Sequence, residues 1–413
     1  MKNTHRSKIK YCLILLLYLP IKSFSQYSGC LTDSINKNNN RNLFKSKQFA
    51  NEVAKYQNSK NVTSALIKTI PVVIHIIHQN GPENISDAQV ISQIDVLNTD
   101  FRRFNSDTAN TNPVFLGVTA DMEISFCLAT IDPTGNPTNG IVRVLSSINT
   151  PSQLINLFGW DNKKYLNIYV SANVGAFSSF PWSPDSLDGI FVTHGRFGTI
   201  GTAGTELFAE FSKFGRTTTH EVGHYLGLYH TFDAACGTTV AGDSVSDTPM
   251  ADMRWVMSTC LGQSLNTCID IPDLPDQVDN YMDYNIDSCM NMFSMGQKTR
   301  VIATLNTYRQ ILWSDSNLIE TGCNSATSIN NFYRPNELFV FPNPAKDKLN
   351  LKWNGANDIS VVIYNLIGQE LSSIFITKQN ATIDIANLPG GLYFLKITDE
   401  NKIGIKKIIV DRN

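Results

Sequence analysis

His220-Glu221-Val222-Gly223-His224-Tyr225-Leu226-Gly227-Leu228-Tyr229-His230 is the stretch from which the rest of the chain is read. His220 and His224 are four residues apart, so on a helix both imidazoles leave one face and can grip a single ion. Glu221 stands beside them, placed to take a proton from water held by that ion. Gly227 tolerates positive φ, which lets the helix end and the chain swing His230 back toward the same point. Three nitrogen ligands leave the fourth vertex of a tetrahedral zinc open to water, the mark of a catalytic rather than a structural site. Core histidines on a buried helix are the bland alternative.

Outward from that stretch, length and charge set bounds. A chain of 413 residues divides into two or three domains. Its first residues carry Lys2, Arg6, Lys8 and Lys10, then the apolar run Tyr11 to Leu19, with Ser23-Phe24-Ser25 offering a cleavage box. That reads as a secretory signal over residues 1–25, too short to span a bilayer, and no other stretch is long enough to do so. Without it, 29 basic side chains face 36 acidic ones, a net charge of −7. Neither nucleic acid nor an anionic membrane is implied as partner.

The wording around the helix resembles the metzincin clan of zinc peptidases, and within it the pappalysin family. Asn280-Tyr281-Met282-Asp283-Tyr284 matches that clan's methionine-bearing turn. The likeness continues in Thr218-Thr219, Thr231-Phe232, Gly242-Asp243, Asp247-Thr248-Pro249 and Cys289-Met290, and upstream in Tyr165–Val170 and Leu187-Asp188-Gly189. It covers roughly Ile70 to Cys323 and implies endopeptidase activity on protein or peptide substrates. Met282 would be an apolar base to the site. Tyr284 would be a phenol that binds the zinc or donates to the tetrahedral oxyanion, a role that a donor at this place can also fill on chemical grounds. An ordinary half-buried aromatic is the other reading of Tyr284.

Between Asp243 and Asp287 there are nine aspartates, no glutamates and one basic residue, Arg254. Calcium with oxygen ligands is the usual extracellular compensation, and Asp243, Asp247 and the Thr248 carbonyl are the candidate ligands. The resemblance also implies calcium near this point; a solvated acidic loop is the alternative. Asp287, just past Tyr284, is expected to face the substrate pocket and to favour Arg or Lys after the scissile bond.

Seven cysteines remain once Cys12 leaves with the signal. The resemblance implies two crossed disulfides, Cys236–Cys268 and Cys260–Cys289; a second zinc site is the rival, although no CxxC pair occurs. Cys127 and Cys323 flank the catalytic region and could close a third bridge. Cys30 is then left over, either as a thiolate that holds a zymogen latent on zinc's open position or as a partner in some other bridge.

Residues 26–60 are polar and asparagine-rich and read as a weakly ordered propeptide. A catalytic domain follows at 61–323. It opens with the β-branched strand Thr69–His78, whose His75 and His78 are read as structural, and continues with a helix from the Ser86/Gln89 capping box, with Val90, Ile91, Ile94 and Leu97 at helical spacing. Strands are expected near Ile124–Thr130, Leu166–Ser171 and Gly189–His194, then the zinc helix from Phe211 to Tyr225 and a last helix at Gly296–Leu312. The expected class is α+β: a mixed sheet, a backing helix, an active-site helix and a loop-rich C-terminal subdomain.

A linker at 324–336 leads to a module at 337–413 with six or seven short alternating strands, the pattern of a small immunoglobulin-like sandwich. Phe341-Pro342-Asn343-Pro344, Leu349-Asn350-Leu351, Leu392-Tyr393 and the tail Lys406-Lys407-Ile408-Ile409-Val410 resemble the sorting domain of type IX secretion cargo. That resemblance implies the secretion machinery as partner and a place outside a Gram-negative cell; a substrate-docking sandwich is the alternative. The reading of the whole is a secreted, calcium-stabilised zinc metalloendopeptidase. Two rivals stand beside it: a catalytically silent adhesin on the same scaffold, and a zinc hydrolase of non-peptide amides.

Overall fold

The computed structural model describes residues 47–55, 67–205, 212–233, 236, 243–254, 260–324 and 338–412, with short breaks at 53, 173, 270, 354–357, 366–368, 378–379 and 399–402. The signal segment 1–25, Cys30 and, apart from Asn324, the linker 324–336 lie outside the described residues.

Strand β1 (Lys68–His78) is buried from Ile70 onward because it is central. Its first half pairs in parallel with β2 (Ile124–Leu128) and its second half with β3 (Ile141–Leu145), while β4 (Leu166–Ser171) runs parallel along its other edge. A strand covered on both faces needs an unbroken apolar run, which this one has. The short edge strand β5 (Ala176–Ser178) pairs antiparallel with β6 (Ile190–Thr193), itself parallel to β4, so the sheet is mixed. His75, within β1, bonds Asn167 and stacks on Tyr169, and burial pushes its pKa down to about 4.

Helix α1 (Asp87–Asp100) backs the sheet with Val90, Ile94 and Leu97 buried, but Ile91 is on the exposed side. Ser86 caps it by accepting the Gln89 N–H, yet the capping box is only half formed. The Gln89 side chain instead donates to the carbonyls of His194 and Phe197, fastening the loop after β6. The amphipathic α2 (Pro151–Phe158) was not foreseen in the sequence, nor were β3 and β5.

The active-site helix α3 (Arg216–Tyr225) is shorter than the expected Phe211–Tyr225, because Gly215 at φ 74° precedes it. A full capping box, Ser294 with Gln297, opens α4 (Met295–Thr307), and the brief α5 (Asp315–Glu320) follows. One core joins these layers: Ile74 and Ile168 of the sheet, Leu97 of α1, Val222 of α3, Met282 and Leu305.

Residues 47–52, within the stretch expected to be weakly ordered, are helical, and Phe49 is fully buried. Its ring meets Trp182 at 4.9 Å and Tyr308 at 5.6 Å, under the Arg300 guanidinium. One aromatic in a polar stretch leaves no periodic trace, yet it suffices to anchor a turn of helix.

The C-terminal module holds seven strands, the upper of the two numbers expected: β7 (Leu338–Phe341), β8 (Lys348–Trp353), β9 (Ile359–Tyr364), β10 (Glu370–Ile376), β11 (Asn380–Asp384), β12 (Gly391–Thr398) and β13 (Ile403–Val410). They form sheets of order β10-β9-β12-β13 and β11-β8-β7. Alternate residues such as Leu349, Leu351, Val361, Leu395 and Ile397 enter one shared core, which makes a small β-sandwich.

Candidate metal centre

His220 and His224 leave the same face of α3, and His230 returns to meet them. The Nε2 atom of His224 lies 3.1 Å from those of both His220 and His230, and all three side chains are buried. Each Nδ1 faces an acceptor: the Tyr281 carbonyl at 2.7 Å for His220, the Leu228 carbonyl at 2.8 Å for His224 and Asp233 Oδ1 at 3.0 Å for His230. Those partners place the ring protons on Nδ1 and leave three Nε2 lone pairs aimed at one point. Burial, with the two neighbouring imidazoles, holds His224 well below the usual histidine range. Three mutually facing lone pairs repel one another unless a cation lies among them. Ligand nitrogens around a tetrahedral zinc with bonds of ~2.0–2.1 Å stand about 3.3 Å apart, so this donor set fits zinc.

Local backbone chemistry explains the convergence. Gly227 sits at φ 92°, with the Leu228 N–H bonded to the Gly223 carbonyl and the Gly227 N–H to that of His224. This is a Schellman stop, and it delivers the Leu228 carbonyl to His224. Arg300 Nε donates to the Gly227 carbonyl at 2.6 Å, and a Cβ on Gly227 would lie 2.7 Å from Thr304 Oγ1. The second glycine of the motif, Gly223, has a different reason. A Cβ there would collide with the sulfur of Met282, which packs directly against the helix.

The turn carrying Met282 is pinned by the Met282 N–H on Asn280 Oδ1 and by Thr231 Oγ1 on Asp283. Tyr284 projects from it beside the cluster, its ring 4.8 Å from that of His230 and 4.7 Å from Phe232. Phe232 stacks on His230 as well, so it braces both rings. Glu221 is buried next to His220.

The acidic residues divide. Asp243 is buried, with Oδ1 accepting from the Val245 N–H and the Thr248 hydroxyl while Oδ2 has no hydrogen-bond partner. Burial pushes its pKa up to about 7. The Asp247 carboxylate accepts from Ser294 Oγ and the Gly296 N–H and so closes the start of α4. Helix N-termini leave such donors unpaired, which is why a carboxylate is drawn there. Asp287 is buried too. Its Oδ2 takes the N–H groups of Phe214 and Arg216 at the start of α3, and neither bond uses Oδ1. Disulfides join Cys236 to Cys268, Cys260 to Cys289 and Cys127 to Cys323, so the first four cysteines do not form a second metal site.

Four residues around the cluster escaped the sequence reading: Asp233, Gly223, Asp100 and Tyr281. Gly223 alone had a visible signal, a glycine in mid-helix, where it costs stability unless something must come close.

A mixed sheet over a backing helix, with a three-histidine cluster at the end of α3 above a methionine turn, defines a metallopeptidase of the metzincin kind. The family model for pregnancy-associated plasma protein-A matches residues 149–306, and that for a secretion-system C-terminal sorting domain matches residues 339–411. An extracellular metalloprotease of Verticillium alfalfae is 32% identical over 270 residues, 64% of this chain and 85% of that one. Mature mirolysin of Tannerella forsythia, solved with a cleaved peptide, is 37% identical with a TM-score of 0.54, covering 62% of this chain and 98% of the other. A mutant of its precursor, promirolysin, gives 34% identity and a TM-score of 0.58 over 69% and 96%. The chain belongs to the pregnancy-associated plasma protein-A, or pappalysin, family: it is a secreted zinc metalloprotease with a C-terminal sorting module. No helix among the described residues is long and apolar enough to cross a membrane.

Proposed function

We propose that the chain is an endopeptidase in which His220, His224 and His230 hold zinc, Glu221 moves the proton and Tyr284 steadies the oxyanion. The observation that carries this is the convergence of three buried imidazoles, with His224 Nε2 3.1 Å from the Nε2 atoms of both His220 and His230. Bound zinc supplies a Lewis acid that polarises a scissile carbonyl and lowers the pKa of water. Glu221 takes the proton of the attacking water and hands it to the departing amine. Tyr284 donates a hydrogen bond where negative charge develops on the carbonyl oxygen. Met282 gives the site an apolar floor. The Tyr281 and Leu228 carbonyls and Asp233 keep the three imidazoles in the right tautomer. That mirolysin was solved with a cleaved peptide supports peptide substrates here.

Four finer assignments belong to the same proposal. Asp287 favours Arg or Lys after the scissile bond: its Oδ1 takes no part in the helix-start bonds and is left to accept from a basic side chain. Calcium binds at Asp243, supported by the buried Oδ2 without a partner. Residues 26–60 form a prosegment, in line with the larger share of the chain matched by promirolysin than by mature mirolysin, 69% against 62%. Six of the eight cysteines are in disulfides, which leaves Cys12 and Cys30 and supports Cys30 as a latency thiolate. Alkylation and mass spectrometry of the precursor test this, since a bridged Cys30 excludes it.

The deciding experiment incubates the processed protein with casein and a peptide library, with and without chelator, beside Glu221→Ala and Asp287→Ala. Chelator-sensitive cleavage is expected, reduced about 10²–10⁴-fold in Glu221→Ala. Asp287→Ala should lose the basic preference and keep cleavage. A protein that binds zinc and cleaves nothing would return it to the adhesin reading, and an aliphatic preference in the parent would remove Asp287's role.

A further inference from the structure

Helix α1 carries no zinc-facing residue, yet its last residue reaches both elements that build the site. Asp100 is 3% exposed. Its Oδ1 accepts the Tyr281 hydroxyl at 2.8 Å and its Oδ2 accepts the Thr219 hydroxyl at 2.8 Å. Thr219 directly precedes His220 on α3. Tyr281 directly precedes Met282, and its carbonyl accepts His220 Nδ1 at 2.7 Å. Both partners are fully buried.

The countercharge is fixed as firmly. Arg216 Nε lies 3.6 Å from Asp100 Oδ1. The same guanidinium grips Asp107 through Nη1 at 2.6 Å and Nη2 at 2.8 Å, and Nη1 also donates to the Asp287 carbonyl at 2.8 Å. Three segments distant in sequence therefore meet at one carboxylate.

We propose that Asp100 is a positioning residue for the metal centre, acting on His220 along the path from Asp100 through Tyr281. A buried ion pair is a poor way to gain stability, because well-packed apolar residues hold elements together as well or better. Two directed hydrogen bonds do something packing does not: they set where the Tyr281 phenol sits. With its ring held at that end, the Tyr281 backbone carbonyl is held at the other, and that carbonyl orients the His220 ring. The Thr219 arm fixes the helix relative to the turn, so imidazole and acceptor cannot drift apart. Ring orientation matters because Nε2 must stay aimed at the ion to within a small angle.

This inference rests on the reading of the three histidines as zinc ligands, and the test separates the two. Full-length parent, Tyr281→Phe, Asp100→Asn and the double variant are purified with zinc. Zinc affinity is measured by competition with a chromophoric chelator, and thermal melting is recorded in parallel. Tyr281→Phe removes one oxygen and keeps the ring, so it remains informative should Asp100→Asn fail to fold. The expected result is a rise of about 10–100-fold in the zinc dissociation constant for Tyr281→Phe. Where Asp100→Asn folds, it should match that rise, and the double variant should lose little more, because both act on one path. An affinity within twofold of the parent in Tyr281→Phe overturns the proposal, as do single effects that multiply in the double variant. A parent that takes up no zinc refutes the histidine reading itself.

Discussion

Replacing Asp243 by asparagine should stabilise the calcium-free protein while removing its response to calcium. The Asp243 carboxyl is fully buried, and burial raises its pKa to about 7, against an ordinary value near 3.9 in the unfolded chain. Between those pH values the folded protein holds a proton that the unfolded one has released, so stability falls as pH rises from about 4 to about 7 and stays lowered above. Roughly three pH units correspond to about 4 kcal/mol carried as a penalty at pH 8. In Asp243→Asn the carbonyl oxygen can still accept from Val245 and Thr248, as Oδ1 does now. The new amide group falls where Oδ2 has no partner, an unmade hydrogen bond costing about 1–3 kcal/mol. The difference favours the variant by about 1–3 kcal/mol at pH 8, whereas at pH 5 only about 1.5 kcal/mol of the penalty remains, so the variant should there be about as stable as the parent or slightly less so. Calcium should act oppositely, stabilising the parent more at pH 8 than at pH 5, because binding requires the carboxylate, and leaving the variant unmoved. Scanning calorimetry of zinc-loaded protein, calcium-free and calcium-saturated at both pH values, reads all four combinations. A variant less stable than the parent at pH 8 without calcium, or one that calcium stabilises equally, would refute the reasoning.

Gly223→Ala sets two effects against each other. Alanine favours a helix by about 1 kcal/mol over glycine, whereas overpacking a core costs about 1–3 kcal/mol. The new methyl would meet Met282, which is fully buried and held at its own backbone, so destabilisation and weaker zinc retention are expected. Melting and metal analysis check it; a more stable variant with full zinc content would mean that the turn gives way freely. Phe49→Ala in the precursor should cost up to about 3–5 kcal/mol, less if the 47–52 helix detaches instead. Calorimetry should then show a melting temperature several degrees lower, and no change would mean that the aromatic pocket gains nothing from its occupant.

What could be read from the chain was what it encodes within one helical turn or one strand. His220, Glu221, His224 and Gly227 act at separations of one to four residues, so the motif shows them directly, and the alternation in Lys348–Trp353 or Gly391–Thr398 shows its buried face in the same way. The supports of the site are non-local. Asp100 meets Tyr281 across 181 positions and Thr219 across 119, and Gln93 reaches the carbonyl of Gly215 across 122. Asp247 and Asp287 illustrate the same limit from the other side. Both were legible as acids in an acidic stretch, yet what each carboxylate bonds depends on which helix start folds against it. Asp233 is the instructive exception, since it lies only three residues past His230 and bonds its Nδ1. Its role was hidden because the turn after His230 has no regular period from which to infer direction. Local chemistry thus marks the atoms that meet the ion, while their aim is set by buried polar contacts that only the assembled fold brings together. Mutation of Asp100 should therefore damage the centre without altering any residue of its recognisable motifs.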